Sequence, residues 1–159
     1  MKSIYIIGAL KNWKVVDLAV ELEQLGFEPF ADWITPGKDA DQYLLKYAKR
    51  RGWNYKQALD SYAARHSFEF DKLHIDRCDA AVMLMPSGRS AHLELGYVCG
   101  CGKPGYILFD KEPARLDIMY QFATEIFFDK QKFLDKMVEN RTKTPSWISP
   151  YAPNFTVTR

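Results

Sequence analysis

Glu94 is the residue with the clearest chemical promise. It follows the loop Pro86-Ser87-Gly88-Arg89-Ser90, and Ser90 is a good helix N-cap, which predicts Glu94 one turn inside a helix. The dipole and free amides of a helix start favour negative charge. An ionised carboxylate at a cleft mouth can act as a nucleophile or join an ion pair. A capping interaction or a solvated surface carboxylate explains the same spacing. The loop itself combines a glycine, two hydroxyls and a guanidinium next to a helix N-terminus, the ingredients of an anion cradle. A plain turn before a capped helix would use the same residues. It lacks the Gly-Lys-Ser/Thr ending of a Walker loop, and Gly8-Ala9-Leu10-Lys11 is not a Gly-x-Gly-x-x-Gly fingerprint. Asp79 reads as a turn or cap. Asp71 alone reads as a solvated helical carboxylate. His66 and His74 read as packed or surface residues, and His92, near the loop, stays unassigned. No Gly-x-Ser-x-Gly elbow is present, which disfavours serine hydrolase chemistry.

These residues need a scaffold, and the pattern supplies one. Ile4-Tyr5-Ile6-Ile7 is an apolar strand stopped by Gly8. Val15, Leu18, Ala19, Leu22 and Leu25 recur at helical spacing up to Gly26. Further strands are predicted at Phe27 to Phe30, Ala80 to Met85, Tyr106 to Phe109 and Ile126 to Phe128, with a last helix marked by Phe133, Leu134, Met137 and Val138. Residues of about 39–77 read as a helical insert of two helices divided at Gly52. The tail of about 142–159 reads as extended. The sum is an α/β chain of 159 residues forming a single domain, a doubly wound five-stranded parallel sheet of Rossmann-like or flavodoxin-like type. Such sheets bind ligands beyond the carboxyl ends of the strands, at the switch in strand order. The loops after the first strand (Gly8 to Lys11) and the third (Pro86 to Ser90) are expected to face each other there.

Composition narrows the function. Lys and Arg number 22 against 20 Asp and Glu, a net charge of +2, which argues against a protein that grips a nucleic-acid polymer by massed phosphate neutralisation. Three cysteines, an odd number, fit reduced thiols in a cytoplasmic protein better than a disulfide framework, and Cys99-x-Cys101 is not zinc spacing. No apolar run approaches the roughly 20 residues of a membrane span, and the apolar start ends at Lys11 without a signal-peptide cleavage pattern. No metal or cofactor is signalled. Aromatics reach 14%. Tyr5, Trp33, Trp13 and Tyr97 are placed by the pattern near the cleft, where a planar base could stack, and Phe127, Phe128 and Phe133 in the core.

Ile4-Tyr5 leading to Gly8, Asp71 eight residues before Asp79, and Leu93-Glu94-Leu95-Gly96-Tyr97 after the third strand resemble, in order and spacing, the nucleoside 2-deoxyribosyltransferase family, across roughly residues 3 to 128. The resemblance implies exchange of bases on a 2-deoxynucleoside with retention at the sugar. Glu94 matches the nucleophile that attacks C1′, in a double displacement like that of retaining glycosidases. Asp71 matches the aspartate that handles the proton of the leaving base, and Tyr5 the tyrosine that orients the nucleophile. Asp32 and Trp33 correspond to the loop that meets the base; Gly8, Ala9, Ser87, Gly88, Arg89 and Ser90 fall at the sugar and its 5′ end. The resemblance further implies a homo-oligomer in which a neighbour completes the sugar site, with Thr124 or Glu125 near that contribution. The partners implied are a nucleoside or nucleotide and a free base.

The sequence departs from that family at Gly88, where the transferases carry an aspartate that holds the 5′ end. A loop of hydroxyls and Arg89 suits a 5′-phosphate better, as in the related deoxynucleoside 5′-monophosphate N-glycosidases, which use water as acceptor; their first-loop serine, however, aligns with Ala9. Pro86-x-Gly88 before Glu94 also has a faint likeness to the cytokinin-activating phosphoribohydrolases, whose second glycine and threonine are missing. A non-catalytic nucleotide-binding or sensing module on the same fold remains a different class of reading.

Overall fold

The computed structural model describes residues 1–141; the tail of about 142–159 lies outside the described residues. Five strands form one parallel sheet in the order β2-β1-β3-β4-β5. They are β1 (Ser3–Ile7), β2 (Glu28–Phe30), β3 (Ala80–Leu84), β4 (Gly105–Leu108) and β5 (Glu125–Phe127). Their order is the flavodoxin-like one, and it reverses between β1 and β3.

The sheet is covered on both faces, which is why β1, β3 and β4 read as nearly unbroken apolar runs. Along β1, Ile4 and Ile6 point to one face and Tyr5 and Ile7 to the other. The first face packs on α1 (Lys14–Gln24) and α6 (Lys130–Arg141) through Val15, Leu18, Leu22, Phe133, Leu134 and Met137. The second packs on α4 (Tyr62–Arg77) and α5 (Arg89–Gly100) through Ile75, Ala91, Leu95 and Val98. A side chain at Gly105 on β4 would meet Cys99 Sγ at 2.5 Å and Leu95 Cδ1 at 2.7 Å, so its absence lets α5 lie close on the sheet. At the end of α1 the Gly26 N–H donates to Glu23 O and the Phe27 N–H to Leu22 O, with Gly26 at φ +82°. This helix-closing pair explains why Phe27 belongs to the turn and β2 starts at Glu28.

The segment between β2 and β3 holds three helices where the pattern predicts two: α2 (Ala40–Arg50), α3 (Tyr55–Leu59) and α4. Gly52, at φ +70°, follows α2 as expected. The second break falls at Asp60-Ser61, where the Ser61 hydroxyl accepts from the Ala64 N–H and opens α4. Phe128 lies just past β5 and is half exposed, a correction to its reading as core. The start of α5 differs too. Gly88, extended at φ −88° and ψ −171°, is the N-cap, and Ser90 is already helical. Ser87 turns its hydroxyl back to Leu84 O, 2.7 Å away, so neither serine caps the helix. Among the described residues no helix is long and apolar enough to cross a membrane.

Candidate active site

A cleft of about 630 Å³ opens at the carboxyl ends of β1 and β3, at the reversal of strand order. The β1–α1 loop gives Gly8, Ala9, Leu10 and Lys11; the segment after β2 gives Asp32, Trp33 and Lys38. Helix α4 gives His66, Ser67, Phe70 and Asp71, and the start of α5 gives Gly88, Ser90, Ala91 and Glu94. A side chain at Gly8 would meet Val15 Cγ2 at 2.6 Å, so its absence lets the start of α1 lie close to the end of β1, with the Trp33 ring in contact beside it. Trp33 is held by its indole N–H, which donates to Ile6 O at 2.7 Å.

Asp71 and Glu94 face this cleft from neighbouring helices, and both are partly buried. Burial pushes the Asp71 carboxyl up to about 6. Burial, and then the negative charge of Asp71, pushes Glu94 up to about 7. Glu94 lies six residues past the Gly88 cap, beyond the first turn where a helix dipole acts. The expectation of a dipole-stabilised anion therefore gives way to a carboxyl that lost hydration pushes up to about 7. Tyr5 is buried, on the sheet face that carries α4 and α5. Its hydroxyl pKa is driven far up by burial and by the charges of Glu94 and Asp71, so it stays protonated. Two carboxyls and one neutral phenol in mutual electrostatic reach form the chemical centre of the cleft.

The cleft thus brings together Glu94, Asp71, Gly8, Ala9, Asp32, Trp33, Gly88 and Ser90, with Tyr5 buried close to the two acids. Ser87, Arg89 and Glu125 lie outside the lining. The Ser87 hydroxyl is committed to Leu84 O, Arg89 is exposed, and Glu125 sits at the amino end of β5, 3.8 Å from Lys136. Trp13 is exposed on another groove, and Tyr97 donates its hydroxyl to Asp76 at 2.8 Å, which corrects their placement at the cleft. His74 is packed, stacked on Phe30 with centroids 3.7 Å apart.

Lys11 closes the loop that the sequence placed at the cleft; sequence reasoning missed Lys38, His66, Ser67 and Phe70 as lining residues. For Ser67 and Phe70 a signal existed: they share a helical face with Asp71 and His74 at spacings of three and four. Lys38 lies in a turn, where no periodicity assigns a face.

No protein-family model matches the chain, and no curated protein matches it. Among solved structures it is similar to the CMP N-glycosidase BcmB of Clostridium botulinum, at 18% identity and a TM-score of 0.50, over 86% of this chain and 98% of that one. It is also similar to a 2-deoxyribosyltransferase of Bacillus psychrosaccharolyticus, at 17% identity and a TM-score of 0.54, over 84% of this chain and 90% of that one. What the chain shares with these two enzymes is the fold, a five-stranded parallel α/β sheet.

Proposed function

We propose that this protein cleaves the N-glycosidic bond of a 2-deoxynucleoside and transfers the deoxyribosyl group to another base. The observation that carries this reading is the pair of partly buried carboxyls, Glu94 and Asp71, in one cleft with raised pKa values and a protonated Tyr5 beside them. Ionised Glu94 attacks C1′, the bond from C1′ to the base nitrogen breaks, and its electron pair leaves with the base. Asp71, protonated, delivers the proton that the departing base needs. A second base then attacks C1′ from the same face, its proton passes to Asp71, and Glu94 is released as the carboxylate. Tyr5 assists by offering a hydroxyl to the Glu94 carboxylate.

Trp33 and Phe70, two aromatic rings in the cleft, supply stacking surface for the base. A homo-oligomer belongs to the same reading, with the exposed Tyr43, Tyr55, Tyr62 and Phe68 of α2 to α4 at subunit contacts and Glu125 offered to a neighbour's sugar site. The likeness in fold to a transferase and an N-glycosidase supports glycosidic chemistry at this position.

The test is incubation with deoxynucleosides, with and without a second free base. New nucleoside, formed only when the second base is present and lost in Glu94→Gln, is the expected result. No turnover of any deoxynucleoside would overturn the reading.

One observation favours a second reading, hydrolysis of nucleoside 5′-monophosphates. Gly88 leaves no carboxylate at the start of α5, while Lys11 and Ser90 line the cleft. Base released from monophosphates alone, with no need of a second base, would select it.

A further inference from the structure

His92 does not line the cleft, yet it touches the part of the wall that does. Its Nδ1 lies 2.6 Å from Gly88 O and its Nε2 lies 3.0 Å from Tyr120 Oη. A carbonyl oxygen can only accept, so Nδ1 carries a proton, and in the neutral ring the bare Nε2 accepts from the Tyr120 hydroxyl. We propose that His92 is a positioning residue which, with Tyr120, holds the Gly88–Ser90 wall of the cleft in its substrate-binding form; its effect on catalysis rests on the glycosidic reading of the site.

The start of α5 shows why a brace belongs there. Gly88 is its N-cap, no side-chain hydrogen bond caps the helix, and nothing lies within 4 Å of where a Gly88 side chain would begin. A glycine cap in open space has little of its own to fix it. Gly88, Ser90 and Ala91 nevertheless form the cleft wall on the Glu94 side. The imidazole grips the Gly88 carbonyl from one turn inside the helix. Tyr120 anchors the imidazole in turn, from the short 3₁₀ turn Ile118–Phe122. The two rings stack with centroids 5.8 Å apart, and Tyr120 also packs on Phe109 at 5.9 Å, just past the end of β4. Asp117 fixes that turn by accepting from the Met119 N–H at 3.1 Å. The brace therefore ties the loop after β3 to the end of β4 without placing a side chain in the cleft.

The test uses the full chain and three variants: His92→Ala, His92→Asn, which keeps a donor for Gly88 O, and Tyr120→Phe, which removes one hydroxyl. Backbone hydrogen exchange at residues 88–91, read without substrate, is expected to speed up by a factor of about five to ten in His92→Ala and by less in the other two. In turnover assays KM is expected to rise by a similar factor with kcat nearly unchanged, because Glu94 and Asp71 are untouched. The ring-nitrogen NMR shifts of His92 are expected to show a proton on Nδ1 and none on Nε2. The opposite tautomer, or unchanged exchange in folded His92→Ala or Tyr120→Phe, would overturn the brace whatever the protein turns over. Faster exchange in a protein inactive on every nucleoside and nucleotide would support the brace and refute the glycosidic reading.

Discussion

Asp71 on α4 raises the pKa of Glu94 on α5 across the cleft that both line. Two partly buried acids with raised values, one of them raised further by the other's charge, lose their protons in two steps near neutrality, and the measurable pKa values belong to the pair.

This predicts a bell-shaped pH dependence of kcat/KM, with its maximum between about 6 and about 7. The acid limb arises because one carboxyl must be ionised to attack, and the alkaline limb because one must still hold a proton. Asp71→Asn leaves a single titrating carboxyl, so the alkaline limb is expected to disappear, and the rate falls by roughly 10²–10⁴ as proton delivery is lost. Initial rates from pH 4.5 to 9 would show it, and a profile flat through neutrality would count against a shared proton.

The same pair makes the native state sensitive to pH. A carboxyl with a raised folded-state pKa binds its proton more tightly when folded, so its effect is a stability loss as pH climbs through the interval between the two values. For Glu94 that interval runs from 4.5 to about 7. Glu94→Gln is therefore expected to be more stable than the wild type at pH 8, by about 1–2 kcal/mol after allowing for partial exposure, with the gain gone below about pH 4.5. Urea unfolding at the two pH values measures it. An active-site group that costs stability is the usual sign of a site kept for function.

Asp79 behaves in the opposite sense. Burial raises its pKa, but the N–H groups of Ser3 and Lys2, at 2.9 and 2.6 Å, outweigh burial and hold it low. It pins the start of β1 from the far side of the chain, a long-range role in place of the expected turn or cap. Its contribution is present above the ordinary carboxylate range and is lost as pH falls through the lowered folded-state value. Asp79→Ala is expected to cost about 1 kcal/mol at pH 7, since the group is exposed, with no change in the pH profile of turnover. Thermal melts together with rate profiles separate the two effects.

Gly8→Ala tests the close approach at the strand end. The added methyl would sit 2.6 Å from Val15 Cγ2, and overpacking of this kind costs about 1–3 kcal/mol. Pairing it with Val15→Ala is expected to restore part of the loss. A double variant no better than either single one would mean that Gly8 is needed for its backbone alone.

The sheet was legible because β1 and β3 are unbroken apolar runs, and such runs between helical patterns leave few topologies to consider. The cleft followed from the strand order, since Gly8 and Gly88 had to meet at the reversal. The split at Ser61 was not legible, because helical spacing continues on both sides of it and only a hydroxyl capping bond marks the break. Ser90 looked like the cap because its residue type suits the role, but Gly88 takes it once Ser87 folds back on Leu84. Trp13 and Tyr97 lie close in sequence to cleft loops and yet face elsewhere, since sequence distance does not fix the side of a helix. The ionisation of Glu94 was hardest to read: burial by distant segments sets it, and spacing carries no record of that.

The most direct measurement is base release from deoxynucleosides by the wild type and by Glu94→Gln, side by side. Release by the wild type is expected, with a fall of roughly three orders of magnitude or more in the variant, as for loss of a nucleophile. Equal release by the two proteins would contradict Glu94 as the group that attacks the sugar.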